Sequence, residues 1–184
     1  MEEYLQSGGN GAAPYGSLEM FDINPKTGTY YTMGQYGCNV YAITNLLTSH
    51  GMKVNPGYVH SVYKATGNNA NVETMNRILR EAGSDERVKT IAVNDTKKYI
   101  SELLNGRGIA TWVGPGPKVD GVNINMYTSL YHWMVVADIR PTRLGDKYGY
   151  DVYVLPSGNK GRGWQKIETI LDNLNGASSM YISK

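Results

Sequence analysis

The spacing of apolar residues changes once along this chain, and that change limits the architectures open to it. From Cys38 to Gly106 the apolar positions recur at helical spacing. Val40, Ile43, Leu46 and Leu47 form a first stripe, stopped by Gly51. Val59, Val62 and Tyr63 form a second, opened by Asn55-Pro56 and ended at Gly67. A third, capped by Asn71, carries Val72, Met75, Ile78, Leu79 and Ala82 to Gly83. A fourth, capped by Asp95, carries Tyr99, Ile100, Leu103 and Leu104 to Gly106. Beyond Gly108 the period shortens. Residues 108–113, 131–139 and 150–155 read as strands, punctuated by Gly114-Pro115-Gly116-Pro117 and Pro156-Ser157-Gly158. A helix over 164–174 and a strand over 179–182 complete the pattern, and a short strand at 29–32 follows a turn at 24–28. Helices first and strands later predict an α+β domain, not a parallel α/β sheet.

A chain of 184 residues suits one domain. Residues 1–17, with Gly8, Gly9 and Gly11 close together, read as a flexible lead, and 18–184 as the domain. The net charge of +2, with no Lys/Arg cluster interleaved with aromatics, argues against nucleic acid as a partner. No apolar run approaches the roughly 18 residues of a membrane span, so no insertion into a membrane is expected. The first residues lack the apolar core of a signal peptide, which leaves the compartment open. The chain could be secreted, or delivered as part of a larger protein or assembly.

With one cysteine, neither an internal disulfide nor a cysteine-based zinc site can form. A lone cysteine is often a buried core residue. Cys38, however, sits where helical spacing begins, behind Gly34, Gln35, Tyr36 and Gly37. A helix N-terminus favours the thiolate, because its unpaired N–H groups and the dipole's positive end both stabilise negative charge. A thiol nucleophile needs a base, and three histidines compete. His50 is twelve residues further along the same helix, roughly 18 Å away at helical rise, and is excluded. His60 lies opposite the apolar stripe of the second helix and reads as a solvated face residue. His132 opens an apolar strand after a polar loop, where its ring can enter a cleft. A third group should accept from the other imidazole N–H. Ser157 and Asn159 are the candidates, while Asp138 and Asp151 fall at the wrong ends of their strands. An oxyanion would need the Cys38 N–H and an upstream side-chain amide, for which Gln35 is the candidate.

These residues and their order resemble the papain-like cysteine peptidase superfamily, and within it the C39-like peptidases. Gly37-Cys38-Asn39-Val40-Tyr41-Ala42-Ile43 is similar to the segment that opens that family's first long helix. His132-Trp133-Met134-Val135-Val136 is similar to its histidine strand, and 152–158 to the strand and turn that carry the orienting residue. The likeness runs from about Thr32 to Ser183. It implies an N-terminal helical half, with the cysteine helix packed on a C-terminal antiparallel sheet. Two departures stand out. The family's Asp-Pro is replaced by Leu155-Pro156-Ser157, and its amide, six residues before the cysteine, falls on Thr32. The resemblance implies a thiol-dependent hydrolase without a cofactor, cutting a peptide or protein substrate through a Cys38 thioester with His132 as acid and base. Tyr36, Trp112 and Tyr131 would line the cleft, with Trp133 either beside them or packed in the core. Cell-wall peptide is an alternative substrate for an amidase or deamidase using the same pair. A further alternative is a papain-like module kept for binding, weak or inactive as an enzyme.

Overall fold

The computed structural model describes residues 3–6, 15–115, 118–119, 122–123, 131–158 and 161–184. It is a mixed α+β fold built on one antiparallel sheet of six strands. The strands of that sheet are β3 (Arg87–Ile91), β4 (Ile109–Val113), β7 (His132–Leu144), β8 (Lys147–Leu155), β9 (Gly163–Lys166) and β10 (Ser179–Ser183). Their order is β3-β10-β4-β7-β8-β9. Two hairpins stand apart: β1 (Glu19–Ile23) with β2 (Tyr30–Thr32), and β5 (Lys118–Val119) with β6 (Val122–Asn123). The helices are α1 (Met33–Tyr36), α2 (Cys38–Ser49), α3 (Pro56–Thr66), α4 (Asn71–Glu81), α5 (Thr96–Leu104) and α6 (Ile167–Leu171). Among the described residues no helix is long and apolar enough to cross a membrane.

Two cores flank the sheet, and the strand sequences explain both. Consecutive strand residues point to opposite faces, so an unbroken apolar run supplies two cores at once. Ala110, Val135 and Leu155 join Val40, Ile43, Leu47, Val59 and Met75 on the α2–α4 side. Ile109, Met134, Val136 and Val154 join Tyr99, Leu103, Ile167 and Ile170 on the α5–α6 side. The second core contains a buried hydroxyl chain, Tyr99 Oη to Thr111 Oγ1 (2.7 Å) to Ser179 Oγ (3.0 Å). Tyr99→Phe is therefore expected to destabilise the fold by about 1–2 kcal/mol in denaturant unfolding, since Thr111 loses a buried partner.

Helix ends follow the expected chemistry at Asn55, whose Oδ1 accepts from Tyr58 N at 2.9 Å, and at Asp95, whose Oδ1 accepts from Lys98 N at 3.1 Å. Asn71 differs: it is the first residue of α4, and its Oδ1 accepts from Asn39 Nδ2 at 3.2 Å. The stretch read as a helix over 164–174 is a strand to Lys166 and only then a helix, α6. Trp164 pairs with Tyr153 in that strand and packs edge-on against its ring. β7 and β8 are longer than their apolar runs suggest, because they continue as a two-stranded arm turning at Gly145-Asp146. Residues Glu3 to Gln6, expected to be part of a flexible lead, are instead docked on the domain, with Glu3 only 3% exposed.

Candidate active site

One residue separates α1 from α2, and that residue must be small. A Cβ on Gly37 would lie 2.6 Å from the Met33 carbonyl oxygen, which accepts the Gly37 N–H at 2.9 Å. α1 is fixed from the other side by Thr32 and Gln35. Gln35 Oε1 accepts from Thr32 N at 3.1 Å and from Thr32 Oγ1 at 3.3 Å. Cys38 thus enters α2 from a turn that is tied at both ends.

Cys38 as a residue is half-buried, but its sulfur is crowded by protein. The backbone N–H groups of Trp133, Asn39 and Cys38 itself turn toward the sulfur. Burial outweighs these three donors and pushes the thiol pKa above its ordinary 9.0. The helix start supplies the expected donors, yet the resting sulfur keeps its proton.

The Trp133 N–H brings the sulfur to the beginning of β7, one residue beyond His132. His132 lies opposite Val113 on β4. Its Nε2–H donates to the Pro156 carbonyl. A carbonyl can only accept, so Nε2 carries the proton in the neutral ring and Nδ1 is left as an acceptor. Burial lowers the His132 pKa below its ordinary 6.5, against a smaller opposing effect of the Pro156 bond. Among the described residues no hydrogen bond joins the Cys38 thiol to this imidazole.

The remaining expectations divide. Ser157 does not orient His132: it is fully buried, and its Oγ accepts from Asn45 Nδ2 at 2.9 Å. The oxygen that holds the ring belongs to the main chain of the preceding residue. Asn159 lies outside the described residues. Asp151 pairs with Arg140 at 3.4 Å, and Asp138 Oδ1 accepts the Ile139 N–H, so both are spent away from the imidazole. Gln35 is exposed and its oxygen is committed to the cap. His50 pairs with Glu86 at 2.6 Å at the far end of α2. His60, read as a solvated residue, donates from Nε2 to the Glu19 carbonyl at 2.8 Å and pins the first hairpin to α3. Two aromatic pairs flank the cysteine turn and the start of β7. Tyr36 stacks on Tyr31 at 5.1 Å, and Trp112 stacks on Tyr131 at 5.7 Å while tilting against Trp133. Among the described residues no three His, Cys, Asp or Glu side chains converge as a metal site would require.

A thiol above 9.0 and an imidazole below 6.5 make a neutral pair at pH 7. Alkylation of Cys38 by iodoacetamide, read by intact mass, is therefore expected to rise about tenfold per pH unit and to keep rising beyond pH 9.0. A rate that levels off at or below neutral pH would mean a preformed thiolate–imidazolium pair. The lowered His132 pKa also has a stability sign. Below 6.5 the unfolded chain binds a proton that the folded chain refuses, so stability falls as pH drops through that value.

No protein-family model matches this sequence, and no curated protein sequence matches it.

Proposed function

We propose that the chain is a thiol-dependent hydrolase of the papain-like, C39-like kind, cutting peptide bonds with Cys38 as nucleophile and His132 as acid and base. The observation that carries this is the Trp133 N–H on the Cys38 sulfur, which sets the thiol one residue from an imidazole whose Nε2–H is already committed. The tautomer left by the Pro156 bond is the one a base needs, with Nδ1 unprotonated.

In this reading the neutral thiol loses its proton as it attacks. The S–C bond forms, the proton moves to Nδ1, and the Pro156 carbonyl stabilises the resulting imidazolium through Nε2–H. The C–N bond then breaks as Nδ1–H protonates the leaving amine, giving a thioester. Water gives a proton to Nδ1 and attacks the thioester. The acid leaves, and sulfur recovers the proton. Contact between thiol and imidazole forms with substrate bound, as catalytic hydrogen bonds often do. The oxyanion meets the Cys38 N–H and the Gln35 amide, which the cap anchors by its oxygen so that its N–H bonds point away from Thr32. The flanking aromatic pairs supply apolar walls for substrate side chains.

The test is to incubate the protein, beside Cys38→Ala, with a peptide pool and with purified cell-wall peptide, and to identify new termini by mass spectrometry. Cysteine-dependent cleavage of the pool supports peptidase action. Cleavage of the wall material alone moves the reading to an amidase. A second reading, a papain-like binding module with little catalysis, is favoured by the neutral resting pair and the main-chain acceptor in place of a carboxylate. Intact substrates after prolonged incubation would support it.

A further inference from the structure

The turn that supplies the Pro156 carbonyl is gripped by residues from the other end of the chain. Glu3 Oε1 accepts the Ser157 N–H at 2.7 Å, across 154 positions of sequence. Gln6 N–H donates to the Ser157 carbonyl at 2.9 Å. Both main-chain groups of Ser157 are thus held by the 3–6 segment. Asn45 on α2 holds that segment in turn. Its Oδ1 accepts Tyr4 N at 2.8 Å, and its Nδ2 donates to Tyr4 O at 3.1 Å and to Ser157 Oγ at 2.9 Å. Gln6 Nε2 reaches the Gly34 carbonyl at 3.5 Å, in the approach to Cys38. The segment touches both turns on which the site depends.

Two features single out the Glu3 contact. Ser157 has φ of 56°, a left-handed backbone that a non-glycine residue keeps only when its surroundings impose it. The Glu3 side chain is fully buried, and a carboxylate is seldom buried without a partner. Its second oxygen pairs with Arg162 Nε at 3.2 Å.

We propose that Glu3 is a positioning residue for His132: by fixing the Ser157 N–H it holds the Pro156 carbonyl on Nε2–H and so keeps Nδ1 as the basic nitrogen. The proposal rests on the reading of His132 as base. It differs from a simple anchoring role in predicting which imidazole nitrogen carries the proton.

The test compares the full-length chain with Glu3→Ala and Glu3→Gln. Imidazole proton–nitrogen correlation spectra report the His132 tautomer and the exchange of its Nε2–H. The native chain should show the Nε2–H tautomer with slow exchange. Glu3→Ala should show mixed tautomers and fast exchange, with kcat on a cleaved peptide lowered about 10- to 100-fold and KM changed less than about twofold. Glu3→Gln keeps an oxygen for Ser157 and should resemble the native chain, since Arg162 is half-exposed. Should Glu3→Ala fail to fold, Glu3→Leu fills the same space but accepts nothing from the Ser157 N–H, and the same loss of tautomer preference is expected. A folded Glu3→Ala or Glu3→Leu chain with the native tautomer overturns the proposal. If the tautomer shifts while the native chain cleaves nothing, positioning stands and the hydrolase reading falls. If cleavage requires Cys38 but the tautomer stays fixed in Glu3→Ala, the hydrolase reading stands and positioning falls.

Discussion

Replacing Cys38 with alanine is expected to remove peptide hydrolysis, lowering kcat/KM by about 10⁴-fold or more, while shifting stability by no more than about 2 kcal/mol. The size of the activity loss follows from the chemistry. Without sulfur there is no nucleophile to form the thioester, and only binding and oxyanion donors remain to help water. The small stability change follows from the setting. Only the sulfur is removed, and although it is crowded by protein, main-chain N–H groups and not side chains turn toward it. Cys38→Ser is the sharper control. It preserves shape and donors but offers a hydroxyl that is far less acidic than a thiol, beside an imidazole backed by a carbonyl and not a carboxylate, and should be nearly as inactive. Progress curves with a fluorogenic peptide would read both variants. Unimpaired hydrolysis in Cys38→Ala would end the thiol mechanism.

Asn45→Leu is expected to be the most damaging of the substitutions considered for stability, at about 3–5 kcal/mol in denaturant unfolding. The side chains branch alike, but leucine is the bulkier, so overpacking adds to the loss of polarity. Asn45 is fully buried within α2, and its amide makes three hydrogen bonds, two to Tyr4 and one to Ser157. A leucine there makes none and also excludes water from the groups it leaves unpaired. Asn45→Asp provides the contrast. It keeps an acceptor for Tyr4 N but loses both donations from Nδ2, and it buries charge. A loss below about 1 kcal/mol in Asn45→Leu would mean that the 3–6 segment contributes little to the fold.

Much of the helical part of this fold is legible in the sequence. The stripes of α2 to α5 are long enough to show their period, and Asn55 and Asp95 mark starts by a local hydrogen bond. The strands of the central sheet are legible where they are apolar on both faces, as in 109–113 and 132–136. Legibility fails where structure depends on distant partners. Arg87-Val88-Lys89-Thr90-Ile91 is too short and too polar to announce a strand, and becomes one by lying along β10. Trp164 sits at helical spacing from Ile167 and Ile170, yet pairing with Tyr153 draws it into the sheet. Glu3 looks like part of a polar tail because its partner, Ser157, lies at the opposite end of the sequence.

The site divides in the same way. Cys38 and His132 carry reactive side chains, and each opens a regular element, so composition and spacing suffice to nominate them as candidates. The direction of the thiol's pKa was not legible. A helix start argues for a thiolate, and only the packing around the sulfur reveals that desolvation prevails. Gln35 is the nearest amide upstream of Cys38, and its capping bond to Thr32 is a local event that the Thr32–Gln35 spacing signals.

The acceptor on His132 is a peptide oxygen, and every amino acid has one. Saturation mutagenesis at position 156 would thus leave the chemical group itself untouched, and a screen for lost activity would register only substitutions that bend the chain there. This partner of the imidazole is invisible to genetics at its own position. Its sensitive positions are those of the side chains that hold the bend in place.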